Sequence, residues 1–309
     1  MVGKHLLRRT FFALGVSFLA YGFDARSQPV PKIDQEGKDV VWAPTPQGLV
    51  DKMLDMAKVT PNDYVIDLGS GDGRIVIAAA KRGANALGIE YDPGLVELSK
   101  RNAAKEGVGD KASFAKGDFF ESDFSQATVI TMYLLPQINL QLRPKILALK
   151  PGTRIVSNSG DMEEWEADDI GKVISIKSFF APALRKIERF VPAPVMDYFT
   201  DYCVFFCTAY LWIVPAKVAG VWRSGQSDLK FSQKFQMLEG TLKSGDRSIP
   251  IANGRLRGEE LRFSAGGAEY TGRVSGSRIE GRVSSGGGIT SWSATRLTDN
   301  PVSSRTEKQ

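Results

Sequence analysis

Apolar residues in this chain recur with two periods that alternate. From Thr45 to Lys58, the residues Leu49, Val50, Met53, Leu54, Met56 and Ala57 lie on one helical face. Tyr64 to Leu68 is a short continuous apolar run, as a strand buried on both faces requires, and a glycine-rich turn leads from it into a helical stretch, Arg74 to Arg82. The pattern repeats as strand Ala86 to Glu90, helix Pro93 to Glu106, short strand Ala112 to Ala115 and strand Thr128 to Leu134. Helix Leu140 to Leu149 and strand Arg154 to Ser157 follow, with Val173 to Ile176 and Ala209 to Pro215 as two last strands at one edge. Strand–helix alternation of this kind predicts an α/β fold, a Rossmann-like seven-stranded sheet covered by helices on both faces.

From Ala219 the period shortens to two. Leu229, Phe231, Gln233 and Phe235 alternate with polar residues, as do Leu261 with Phe263, Tyr270 with Gly272 and Val274, and Ile279 with Gly281 and Val283. Gly, Ser, Asn and Asp interrupt these runs about every ten residues, which predicts a smaller C-terminal all-β domain: a meander, sheet or small barrel. The expected organisation is a signal segment over 1–27, a polar linker over 28–43, the α/β domain over 44–218, the β domain over 219–297 and a polar tail over 298–309.

The first 27 residues change the picture of where the chain works. Lys4, Arg8 and Arg9 precede an uncharged apolar run from Thr10 to Phe23, and small residues follow at Ala25 and Ser27. This is the layout of an export signal cleaved after Ser27, and Arg8-Arg9 gives it a twin-arginine character. A periplasmic or exported location is expected, or a cytoplasmic one if the segment does not function. The chain of 309 residues has a net charge of +5, and residues 219–297 hold twelve Lys and Arg against seven Asp and Glu. No aromatic–basic interleaving accompanies that excess, so no nucleic-acid partner is expected.

The single histidine, His5, lies in the signal segment. The folded body therefore has no imidazole for a Ser-His-Asp triad, a zinc ligand or a general base. Cys203 and Cys207 are too few for a thiolate metal site, so no metal is expected; a disulfide between them is open in an oxidising compartment, but a regular strand holds such a pair too far apart to bridge, and two buried free thiols are the favoured reading.

The chemistry gathers at strand ends. Asp67-Leu68-Gly69-Ser70-Gly71-Asp72-Gly73 joins a strand to a helix, where glycines let the backbone bend and a ligand approach the helix N-terminus. Its spacing departs from the Gly-x-Gly-x-x-Gly of dinucleotide folds, and Asp67 and Asp72 would repel a diphosphate. A ligand with an ammonium and a sulfonium suits them better. Glu90, followed by Tyr91, ends the second strand, where a carboxylate can accept from two ribose hydroxyls. Asp118 ends the third, able to accept from an adenine amino group beside the backbone of Phe119, although an acid at a strand end also serves as a helix cap.

Pro44-Thr45-Pro46, Asp67 to Arg74, Gly88-Ile89-Glu90, Met132 to Pro136, Leu142 to Lys145, Pro151-Gly152-Thr153 and Tyr210 to Pro215 together resemble a specific family. They are similar to the class I S-adenosylmethionine-dependent methyltransferases that include the lysine N-methyltransferase of the ATP synthase c subunit, and to exported bacterial relatives carrying an extra β domain. The resemblance implies S-adenosyl-L-methionine as cofactor, with Asp67, Gly69, Gly71, Gly73, Glu90, Tyr91, Asp118 and Phe119 binding it and Thr45 and Pro46 closing over its methionine portion. It implies a protein partner with an accessible lysine, and assigns the acceptor side to Tyr133, Pro136 and Asn139. A packing role against the helix opposite is the lesser alternative for Tyr133. A small-molecule or lipid methyltransferase, or an exported binding protein that has lost turnover, are the competing readings.

Two departures from the family stand out. Asn158 follows Ser157 where the family often has histidine, and Lys177 to Phe206 is an insertion. Residues 179–191 combine an apolar face with Arg185, Lys186 and Arg189. That suits a substrate lid, a contact with a membrane surface, or packing on the sheet edge.

Overall fold

A computed structural model describes residues 43–173 and 208–297, all within one compact unit. The export segment, most of the linker, the insertion with residues 179–191, Cys203, Cys207 and the tail lie outside the described residues.

The first sheet is built from β1 (Tyr64–Leu68), β2 (Asn85–Glu90), β3 (Ala112–Lys116), β4 (Val129–Met132), β5 (Arg154–Asn158), β6 (Asp169–Lys172) and β7 (Thr208–Ile213). Its order is β3-β2-β1-β4-β5-β7-β6, with β7 the one strand running against the others. Helices α1 (Gln47–Met56), α2 (Arg74–Lys81), α3 (Pro93–Lys105) and α4 (Pro136–Ile146) cover it. One core lies under α1, α2 and α3, where Leu49, Met53, Val76 and Ala79 meet Val65 and Val129; the other holds Leu142 and Ile146 of α4 with Ile66, Ile130 and Trp212. The neighbours of β1 depart in opposite directions, so its C-terminal end opens on a crevice, where ligands of such sheets bind. At the other end, Asp63 takes Thr128 and Arg154 and ties the starts of three strands together.

Two sequence expectations are corrected. Helix α4 begins at Pro136 rather than Leu140, because a proline at the first helical position has the right φ already and its missing N–H had no partner to lose. The sixth strand is Asp169–Lys172, ahead of the expected Val173 to Ile176. Three of its four residues are exposed, so this edge strand carries no run of apolar side chains to announce it; residues 174–176 lie outside the described residues.

The second sheet is a meander of β8 (Gly220–Ser224), β9 (Ser227–Lys234), β10 (Met237–Ser244), β11 (Arg247–Pro250), β12 (Ala252–Arg257), β13 (Glu260–Ala265), β14 (Ala268–Ser275), β15 (Arg278–Ser285) and β16 (Gly288–Arg296). Pairing of β8 with β16, and of β9 with both β8 and β10, closes it into a barrel. Here β11 and β12 both pair with β10 and act as one strand bent at Ile251, so the barrel has eight staves. Its interior is filled: Phe231, Phe263, Tyr270 and Trp292 pack ring on ring, with Phe263 and Tyr270 stacked at 4.6 Å. Of the open sequence alternatives, the barrel is the one found. The α/β sheet with its all-β C-terminal domain is thus the architecture that the two periods imply.

Candidate active site

The glycine turn sits at the mouth of the crevice, between β1 and α2. Gly69, Gly71 and Gly73 all have positive φ (76°, 56° and 83°), which side chains other than glycine rarely adopt. Gly73 also caps α2, and a Cβ there would lie 2.8 Å from the Phe114 ring. The turn is braced from α3, whose Ser99 hydroxyl donates to the Gly71 carbonyl (2.8 Å) and whose Asn102 amide donates to that of Asp72 (2.9 Å). Helix α3 is itself started by Asp92, whose carboxylate accepts from the Gly94 and Leu95 amides ahead of the pre-set φ of Pro93.

Two carboxylates converge on this turn. Glu90 accepts from the Gly71 amide with one oxygen (2.8 Å) and from the Asp92 amide with the other (3.0 Å). Each oxygen keeps a lone pair, so hydroxyls of a ligand can still be accepted. Asp67 is 2% exposed and takes a hydrogen bond from the Thr131 hydroxyl on β4 (2.7 Å). Burial raises the Asp67 carboxyl to about 7; the Thr131 bond opposes the rise, and the Glu90 and Asp72 carboxylates add to it.

Asp72 is already matched. Its carboxylate holds Arg74 at 2.7 Å, and the same guanidinium donates to the Thr45 carbonyl (2.9 Å), drawing Pro44-Thr45-Pro46 against the turn. Among the described residues no Lys or Arg pairs with Asp67 or Glu90. The crevice therefore asks for a ligand that brings positive charge to a buried acid and hydroxyls to a second one. S-adenosylmethionine has both, as ammonium, sulfonium and ribose, whereas a diphosphate has the wrong sign. The residues present fit that cofactor.

The remaining expected residues are placed unevenly. Thr45 is buried, and its hydroxyl accepts from the Asn158 amide at the end of β5 (3.3 Å), while Pro46 starts α1. Tyr91 is 73% exposed, on the rim. Asp118 is brought to the same edge, since the Gly117 amide donates to the Glu90 carbonyl (3.0 Å), but its carboxylate accepts from the Phe120 amide (2.8 Å) in a turn of its own. It shares no hydrogen bond with the Asp67 or Glu90 side chains, and it is not a helix cap either, because the chain runs from β3 to β4 with no helix between. Phe119 is half-buried against the core. Tyr133, just past β4, is half-buried, and burial pushes its phenol above the usual range. Pro136 is exposed at the first turn of α4. Asn139 is fully buried, donating over 3.4 Å to the Ser157 hydroxyl and to the Asp161 carbonyl, so it braces the loop from below. Thr131, Ser99 and Asn102 were missed. Only Thr131 has a local signal, a polar residue inside the apolar run Val129 to Met132.

A groove of about 530 Å³ runs outside the turn between α1, α2 and α3, lined in part by Asp51, Arg74, Lys81 and Glu106. Two of its cations are matched in place, Lys81 by Glu106 and Arg82 by Asp55, while Lys105 also lines it.

With this geometry in place, likeness to known proteins decides the family. The ANTKMT methyltransferase domain matches residues 67–169. A protein-lysine N-methyltransferase of Saccharolobus islandicus is 45% identical over 137 residues, which are 43% of this chain and 85% of that protein. The chain belongs to this family of S-adenosylmethionine-dependent methyltransferases. The human lysine N-methyltransferase of the ATP synthase c subunit is 39% identical over 34% of this chain and 46% of its own length, so the chain spans about half of that relative. A solved RNA methyltransferase of Salinibacter ruber in complex with S-adenosyl-L-homocysteine is 39% identical, covering 57% of this chain and 96% of that one with a TM-score of 0.45. The family identity makes S-adenosylmethionine the cofactor of this methyltransferase.

Proposed function

We propose that this methyltransferase modifies the side-chain amine of a protein lysine, with the acceptor entering beside Tyr133. The observation that carries the reading is the 45% identity over 85% of the Saccharolobus islandicus protein-lysine N-methyltransferase; the local chemistry agrees with it. When bound, S-adenosylmethionine supplies a methyl group on a positively charged sulfur, open to in-line displacement. A lysine must reach it as the neutral amine, because the ammonium has no lone pair. A partly dehydrated wall favours that neutral form. Because burial raises its phenol, Tyr133 stays protonated, and its hydroxyl orients the amine without adding charge. The amine's surplus proton passes to water. Asp67 and Glu90 hold the other reactant still, so much of the rate gain comes from alignment and exclusion of water.

The test is incubation of the chain with methyl-labelled cofactor and cell extract, followed by peptide mass spectrometry. Label on lysine side chains is expected. Label confined to lipid or small-molecule fractions would overturn the lysine assignment.

A further inference from the structure

The barrel hairpins follow one rule with one exception. Seven two-residue turns join its strands, and six begin with glycine at φ between 57° and 63°: Gly225, Gly245, Gly258, Gly266, Gly276 and Gly286. The seventh, between β9 and β10, begins with Phe235 at φ 52°. A bulky residue in that region is strained, and such strain persists where surrounding contacts over-determine it.

Those contacts lie on α4 and on the segment between β5 and β6. The Phe235 ring stacks on Trp165 (5.9 Å, 16°), and the Arg143 guanidinium of α4 sits 5.4 Å from the centre of the same ring. Gln236, 1% exposed, donates its amide to the Glu166 carbonyl (2.8 Å), while its own carbonyl holds the Leu256 amide (2.7 Å) within the barrel. Nearby, Arg255 of β12 pairs with buried Asp168 at 2.8 Å, and Asp168 also accepts from the Ile213 amide. The contacts to Trp165, Glu166 and Asp168 fasten residues 159–168, the segment between β5 and β6.

The same segment braces the Tyr133 side of the crevice. Arg143 donates to the Met162 carbonyl (2.9 Å), and Asn139 reaches the Asp161 carbonyl (3.4 Å). At Gly160 the fit is tight: a Cβ would lie 2.4 Å from the Asn139 amide nitrogen and 2.9 Å from the Leu134 carbonyl. A continuous line of contacts thus runs from the barrel hairpin through 160–166 to Leu134, Asn139 and Arg143, just past Tyr133.

We propose that Phe235, with Gln236, is a positioning residue through which the barrel sets the methyl-acceptor wall of the crevice. This rests on the assignment of the Tyr133 side to the acceptor. The structure offers an unusual test, because glycine is what the sister turns use. In the full chain, Phe235→Gly relieves the turn while removing the ring. Three properties are measured: S-adenosylmethionine affinity, the rate of methyl transfer to the acceptor fraction, and hydrogen exchange over 133–139 and 67–73. Phe235→Gly is expected to keep cofactor affinity within twofold, to slow transfer at least tenfold, and to speed exchange over 133–139 but not over 67–73. Phe235→Tyr is expected to match the unaltered chain in all three, and Gln236→Ala to act like Phe235→Gly with a smaller loss, serving in its place should that variant fail to fold. A barrel-core control, Phe263→Leu, should lower the melting temperature and leave transfer unchanged at 25 °C. Parental transfer and parental exchange over 133–139 in Phe235→Gly would overturn the proposal, as would an equal loss of transfer in Phe263→Leu. If the unaltered chain labels no lysine, the lysine assignment fails separately, and the exchange pattern still decides the positioning role.

Discussion

Asp67→Asn should make the protein more stable while removing its function. Asp67 is an acid of ordinary value 3.8 that burial and its acidic neighbours raise to about 7. A folded-state value above the unfolded one means the folded chain holds the proton longer. No penalty exists well below pH 3.8; it grows by about 1.4 kcal/mol per pH unit between the two values and is complete above 7. The interval of roughly three units makes it about 4 kcal/mol at pH 8, an upper figure because the new amide must also be desolvated. Asparagine can still accept from Thr131, so packing is retained. Denaturant unfolding of the cofactor-free chain at pH 8 should show Asp67→Asn more stable by up to about 4 kcal/mol, and by only about 1 kcal/mol near pH 4.5. Calorimetric titration of the same variant should show cofactor affinity down at least about 100-fold, the buried ammonium having lost its counter-charge. A variant no more stable at pH 8, or one that binds normally, would refute the reasoning.

Other outcomes follow from the same geometry. In the unaltered chain, cofactor affinity should rise with pH up to about 7 and then level, because binding a cation favours ionised Asp67; calorimetry at pH 5.5, 6.5 and 8 checks it. Glu90→Ala should abolish cofactor binding with little change in the unfolding midpoint, since Glu90 is half-buried and its partners are turn amides. Gly73→Ala should destabilise by roughly 1–3 kcal/mol and weaken the cofactor, because φ 83° and the Phe114 ring both oppose a side chain; thermal melts and titration measure each. For the N-terminal segment we propose export, so the mature chain should begin at Gln28 on N-terminal sequencing of secreted material, and an intact Met1 would count against it.

What could be read from the residues alone was whatever repeats locally. Apolar runs at Tyr64 to Leu68 and Ala86 to Glu90 and helical spacing in α1 mark their elements because burial on one or two faces leaves a period in the chain. The glycine turn with Asp67 and Glu90 was legible for a related reason: strand ends in an open α/β sheet share one edge. Edge strand β6 left no such trace, and the early start of α4 depended on reading Pro136 as an opener. Asp118 shows the limit for single acids, since ligand contact and a local turn bond call for the same residue at the same place. Bonds such as Thr131 to Asp67 and Gln236 to Glu166 join residues 64 and 70 positions apart, so no local period records them. The Phe235 turn stands out only once the strand bounds and φ values show six sister turns that begin on glycine.

The most direct measurement is a crystal structure of the chain with S-adenosyl-L-homocysteine. Ribose hydroxyls on the Glu90 carboxylate, with the homocysteine ammonium over the Asp67 end of β1, is the predicted result. A ligand lodged elsewhere, such as the groove between α1, α2 and α3, with Asp67 and Glu90 untouched, would contradict it.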